Sequence, residues 1–244
     1  MKKIHAILVL SLFLGVVSCK KDNTAANSAT TNGITTDQVA DLSAGSISLS
    51  SDGLATTSTD ISSAALSNDQ GCGTSATDST TKSGTSNNVT YNYFFKYIHT
   101  LTCNTNNQHD NIAYDVNFNG YYENPDVKSL DTGTSTFKIA GLTPASTAVV
   151  INGEYKRTGK FTYKVGNKTS GTSSVDILVA NLTVDKTTKK ITGGTATITI
   201  SATTPKGTFN FSGPLTFNGD GTATLVISGT TYSINLITGA VTKP

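Results

Sequence analysis

Tryptophan is absent from the 244 residues, and methionine and arginine each occur once, the arginine as Arg157. Charged residues make up only 14% of the chain, and the net charge is +2. Such a chain has no basic field to track a phosphate backbone and no acidic tail, which argues against nucleic acid as a partner. No Gly-x-Ser-x-Gly elbow, phosphate-cradling glycine loop, EF-hand spacing or Cys-x-x-Cys pair is present, so neither a cofactor nor a metal is expected. The apolar run from Ile4 to Val17 is short of the roughly 20 residues that a membrane-spanning helix needs. Beyond Asn88 nothing carries a helical period.

What is present begins with an address. Met1-Lys2-Lys3, the apolar run and Ser18 are the parts of a secretory signal over residues 1–18. Val16-Val17-Ser18-Cys19 resembles a bacterial lipobox, which implies that Cys19 is acylated and opens a mature chain of 226 residues (244 less 18). The competing reading is an ordinary signal peptide with a cysteine near its cut. Two or three acyl chains anchor stably where one binds only marginally. Lys20-Lys21-Asp22 resembles the lysine-plus-acid tag that sends lipoproteins of Bacteroidota-type bacteria outward. It points to the outer membrane, with the domain facing the cell exterior.

With Cys19 lipidated, Cys72 and Cys103 remain to form a disulfide, which an oxidising envelope compartment permits. Two free thiols or a metal pair are the alternatives, and the wide spacing disfavours metal.

Residues 19–87 are dominated by Ser, Thr, Ala, Asn, Asp and Gly and contain no aromatics, so a flexible tether is expected there. Within it, Asp37 to Leu42 and Asp60 to Leu66 each start on an acidic cap candidate and read as a turn or two of helix. Asp78-Ser79-Thr80 resembles an O-glycosylation site of Bacteroidota envelope proteins.

From Val89 the pattern changes to strict alternation. Val89, Tyr91, Tyr93, Phe95, Tyr97, His99, Leu101 and Cys103 share one face of a strand, and Ile112, Tyr114, Val116, Phe118 and Tyr122 repeat it. Similar runs continue to Tyr232-Ile234-Leu236, with turn signals at Asn119-Gly120, Gly193-Gly194, Asp220-Gly221, Ser228-Gly229 and Thr238-Gly239. Asn152-Gly153 reads as a bulge within a strand. Residues 88–244 are therefore predicted to be an all-β antiparallel meander of about nine to ten strands, sandwich or barrel-like. An outer-membrane barrel is disfavoured by several short strands and by the chain end Val241-Thr-Lys-Pro244. Gly194–Ser201 and Gly221–Ser228 nearly match, either as a duplicated hairpin or by convergence on Thr-rich β sequence.

The Cys19 tether, the Ser/Thr tail, the Tyr-rich first strand and the closing Thr-rich segment together resemble uncharacterised lipoproteins of Bacteroidota. That resemblance spans most of the chain and implies no activity.

For chemistry, Glu123 with Asp126 and Asp131 is the best acidic cluster, set against the plainer reading of a solvated loop with turn-forming Asp and Pro. His99 shares the apolar face with Tyr97 and Leu101 and reads as a hydrogen-bonded core or rim histidine. The tyrosines line a ligand surface or fill the core, and core filling is preferred. No catalytic residue is assigned and the ligand is unknown. The expectation is a lipid-anchored, non-catalytic interaction or structural module, meeting the membrane through its lipid and a protein or glycan through its domain. An envelope hydrolase using the Glu123 loop, or a barrel carrying a small apolar ligand, stands as the alternative.

Overall fold

The computed structural model describes residues 30–31, 33–166 and 168–243. The signal segment, Cys19 and Lys20-Lys21-Asp22 lie outside them. In chain order the elements are a small ribbon, β1 (Thr30–Thr31) and β2 (Ile34–Thr35), then α1 (Thr36–Ile47) and α2 (Leu54–Leu66). There follow β3 (Ser75–Ser86), β4 (Val89–Cys103), β5 (His109–Glu123), β6 (Val127–Ala140), β7 (Ala148–Tyr163) and β8 (Ser170–Asp185). The last are β9 (Ile191–Thr204), β10 (Gly207–Phe217), β11 (Thr222–Ile227), β12 (Thr230–Asn235) and β13 (Val241–Thr242).

Strands β3 to β13 form one antiparallel sheet of eleven strands, each paired with its sequence neighbours. The sheet is not closed: β3 and β13 are its two edges. The meander is thus one continuous, open antiparallel sheet, the all-β architecture expected. The predicted phase of the strands holds, since Tyr93, Phe95, Leu101, Ile112, Tyr114, Val116, Phe118 and Tyr122 are all buried on the inner face. Asn152-Gly153 is a bulge, with a register shift between Ile151 and Gly153 against β8. The two near-repeats lie in β9 and β11, on either side of β10, and each places its Ala and two aliphatics on the inner face.

Two expected turns are not turns. Asn119-Gly120 sits inside β5 and Gly193-Gly194 inside β9. Gly120 faces Tyr93 and Asp131, and a Cβ there would stand 2.1 Å from the Asn92 carbonyl oxygen. The glycine is needed for close approach of neighbouring backbone, not for a reversal.

The folded domain begins well before residue 88, inside the span expected to be tether. From Ile34 to Ser86 the chain belongs to the folded domain: both helices pack on the inner face, and β3 adds the first strand. α1 starts with a capping box, in which the Gln38 N–H donates to Thr35 Oγ1 (3.1 Å) and the Thr35 N–H donates to Gln38 Oε1 (3.1 Å). Nearly every α1 residue is buried although few are large. The serines make this tolerable by donating to backbone carbonyls one turn back, Ser43 Oγ to Val39 O (2.8 Å) and Ser46 Oγ to Leu42 O (3.1 Å). A hydroxyl satisfied in this way packs like a small apolar group, so a polar sequence can fill a core. Cys72, in the connection from α2 to β3, is bonded to Cys103 at the end of β4, with an S–S distance of 2.08 Å. The bond ties the connection that follows the helices to the end of β4, the strand next to the β3 edge.

Candidate functional site

Counting in twos along β6 and β7 places Asp131 and Arg157 on the inner face, the same side as Phe137 and Tyr155. The two meet beneath α1. Arg157 Nη2 donates to Asp131 Oδ2 at 2.5 Å and also to the Tyr93 hydroxyl, while Nη1 donates to the Gly45 carbonyl in α1 at 2.8 Å. Asp131 accepts in addition from Tyr93 Oη (2.8 Å) and Ser129 Oγ (2.6 Å). The guanidinium lies over the rings of Tyr122 (4.8 Å) and Tyr93 (5.3 Å). Gly45 has no alternative here, because a Cβ would stand 2.1 Å from the Tyr122 hydroxyl oxygen.

The electrostatics follow from this enclosure. Burial opposes the charge on Arg157, but Asp131, Tyr93 and Tyr155 outweigh it and hold the guanidinium charged far above its ordinary range. Burial likewise pushes the Tyr93 phenol well up, and pushes Tyr155 to about 12. Arg157, Tyr93 and Tyr155 therefore each hold their protons at neutral pH, which suits a structural lock better than proton transfer. The sequence signal for the cluster was the chain's only arginine falling on an apolar row.

The expected acidic cluster is not assembled. Glu123 is on the outer side, paired with Lys128 (3.2 Å) and Lys164 (3.3 Å), whereas Asp131 is 5% exposed on the inner side. Hydrogen bonds from Lys128 and Lys164 lower the Glu123 pKa, the opposite of what a general acid needs. Asp126 belongs to the β5–β6 turn, where Asn124 Oδ1 accepts from the Asp126 N–H (2.9 Å) and the Val127 N–H (2.7 Å). His99 is buried, with its ring against Tyr114 at 5.2 Å and Nδ1 3.7 Å from Asp78. Among the described residues no group of three or more His, Cys, Asp or Glu side chains is placed to hold a metal. Tyr93, Tyr114, Tyr122, Tyr155, Tyr163 and Tyr232 are all in the core.

The outer face has a different chemistry. Cross-strand register aligns Phe94, Asn119, Thr132, Thr158 and Ser174 in one row over β4 to β8, and Lys96, Asn117, Thr134, Lys156 and Asp176 in the next. The rows border a shallow depression of about 500 Å³. Phe94 is 42% exposed there, and Leu130 is 52% exposed on the adjoining row. No family model, curated protein or solved structure matches the chain.

Proposed function

We propose that the chain is a lipid-anchored envelope protein of the bacterial outer membrane whose β domain is a non-catalytic glycan-binding module, displayed toward the exterior. The lipobox at Cys19 and the Lys20-Lys21-Asp22 start support the anchor and the address. The observation that carries the binding reading is the outer platform: one exposed ring, Phe94, continued across four strands by amides and hydroxyls. Sugars are held by an apolar face that packs on a ring and by neutral donors and acceptors beside it, with little need for net charge. The platform offers that combination, and its charges are mostly paired, as in Lys156 with Glu154 at 2.6 Å.

The test is retention of the purified full chain on immobilised envelope and host polysaccharides. Phe94→Ala, at an exposed site, should keep the melting temperature and weaken retention about tenfold, the loss of one stacking contact. Retention unchanged by Phe94→Ala, or absent for every polysaccharide, rejects the platform. For the anchor, Cys19→Ser should move the protein from the detergent phase to the aqueous phase, and protease shaving of intact cells should remove the domain. A protected domain places it in the periplasm instead. In the alternative of a small apolar ligand held by the sheet, α1 and α2 occupy the inner face where that ligand would sit.

A further inference from the structure

Between α2 and the first strands of the sheet lies a second cleft, of about 280 Å³, lined by Asp60, Ile61 and Ala64 of α2, Asp78 and Lys82 of β3, Tyr97 of β4 and Tyr114 of β5. Its charges do not balance. Lys82 is bound to Asp60 and lies 3.8 Å from Asp52, so one lysine serves two carboxylates. Asp78 remains, its side chain 71% exposed; among the described residues its one charge partner is His99 Nδ1 at 3.7 Å, beyond hydrogen-bonding distance.

The buried acceptors point the same way. Among the described residues the Tyr114 hydroxyl and His99 Nδ1 are fully covered yet have no hydrogen-bond partner, and the two residues are 2% and 5% exposed. Burying such groups unpaired loses their hydration with nothing in return, so each calls for an explanation. Asp78 acts on the same spot: burial first, and then that carboxylate, push the Tyr114 phenol up to about 12. A carboxylate, a phenol oxygen and an imidazole nitrogen together make a set of acceptors, and an ammonium group brings three donors with no acceptor.

We propose that this cleft binds a primary alkylammonium group, with Asp78 as its counter-ion, Tyr114 Oη and His99 Nδ1 as further acceptors, and Ile61, Ala64 and the Tyr97 ring around its alkyl stem. The site is separate from the glycan platform and does not depend on it. A free amine and a lysine side chain share this chemistry.

The experiment is calorimetric titration of the purified full chain with n-butylammonium, with n-butanol as the uncharged counterpart, and with lysine blocked at both its α-amino and carboxyl groups. Saturable binding of butylammonium at least about tenfold tighter than butanol is expected, the scale of one charge-assisted hydrogen bond. Asp78→Asn, at an exposed side chain, should abolish most of that difference. Tyr114→Phe should leave the melting temperature unchanged or higher, because its hydroxyl has no protein partner, and should still weaken the amine several-fold. Blocked lysine binding as tightly as butylammonium, or tighter, assigns the source to a protein lysine; weaker binding assigns it to a free amine. No saturable binding of either amine, equal binding of butanol, or binding indifferent to both substitutions overturns the proposal and leaves a water as the partner of Tyr114.

Discussion

The two halves of the sheet's inner face are built on different chemistry. From β3 to β7 it carries Tyr93, His99, Tyr114, Ser129, Asp131, Ser135 and Arg157 among its buried residues. From β8 to β12 it is almost wholly aliphatic and phenyl, with Val175, Ile177, Ile198, Ile200, Leu215, Leu225 and Ile234 at 2% exposure or less. Both halves are equally dry, but they hold α1 differently: the first bonds to its backbone, through Arg157 to the Gly45 carbonyl and Tyr163 to the Gln38 carbonyl, whereas in the second Tyr232 donates to the Asp37 side chain in its first turn (2.9 Å). Apolar surface rewards any close fit, whereas a guanidinium under a carbonyl rewards a single position. The aliphatic half supplies bulk stability, and the polar half sets where the helix lies.

Removing one partner of the buried pair should therefore have the largest effect. Arg157→Ala leaves the Asp131 carboxyl group enclosed without its cationic partner and should lower stability by about 3–5 kcal/mol in urea unfolding. Leu225→Ala, in the aliphatic half, should lose about 2–5 kcal/mol through its cavity. The comparison is sharpened by the second step. Arg157→Met with Asp131→Leu should recover most of the loss because no charge is stranded, but the helix should then show faster amide exchange around Gly45. Exchange no faster than wild type in that double variant would mean that the polar half does not position α1.

The covalent tie also belongs to the polar half, since Cys72–Cys103 closes on the end of β4. Reduction, or Cys72→Ser with Cys103→Ser, should cost about 3.5 kcal/mol by loop-closure entropy. Both thiols should be unreactive to a thiol probe in unreduced, denatured protein; labelling of both would refute the bond.

Smaller, and visible only against pH, is Asp41 on α1. Burial, then Asp126 and Asp37, raise its pKa to about 7 from an ordinary 3.8. The folded state thus holds this proton more tightly than the unfolded state. Its contribution is complete below pH 3.8 and is lost as pH rises toward 7, a fall of about 2–3 kcal/mol after allowance for partial exposure. Asp41→Asn should flatten the stability profile between these limits and be the more stable protein above them. A profile that keeps its slope in the variant assigns the titration elsewhere.

What the sequence made legible divides along physical lines. Strand phase was readable wherever one row is large and apolar, from Val89 to Leu236, because a period of two admits no other buried set. β3 was not, because an edge strand gripped on one side by backbone bonds needs little side-chain burial: its inner row is Ala76, Asp78, Thr80, Lys82 and Gly84. The helices were seen only as fragments, Asp37 to Leu42 and Asp60 to Leu66, because their serines pack as small residues once bonded to their own backbone. Asn119-Gly120 misled because glycine serves close approach as well as turns. Nearness in sequence groups Asp131 with Glu123, but the β5–β6 turn changes the phase: the inner row is even-numbered in β5 and odd-numbered in β6, so the two carboxylates fall on opposite faces.

That last separation gives the smallest expected effect and decides the most about function. Glu123 keeps its charge among Lys128 and Lys164 on the wet side of the sheet, where ion pairs are screened and contribute little. Its lowered pKa in the folded state adds stability that is present above the ordinary carboxylate pKa and fades as pH falls. Because the group is exposed, Glu123→Gln should shift the urea midpoint too little to resolve, and glycan retention should equal wild type. The hydrolase alternative requires the reverse, unchanged binding with turnover far slower than wild type, since a carboxylate that acts on the scissile bond cannot be replaced by an amide. With Asp131 sealed beneath α1 and Asp126 engaged in its turn, Glu123 has neither as a partner on its own face. A binding surface that ignores Glu123→Gln but fails with Phe94→Ala would separate the outer row from the loop and remove that carboxylate from the chemistry of this protein.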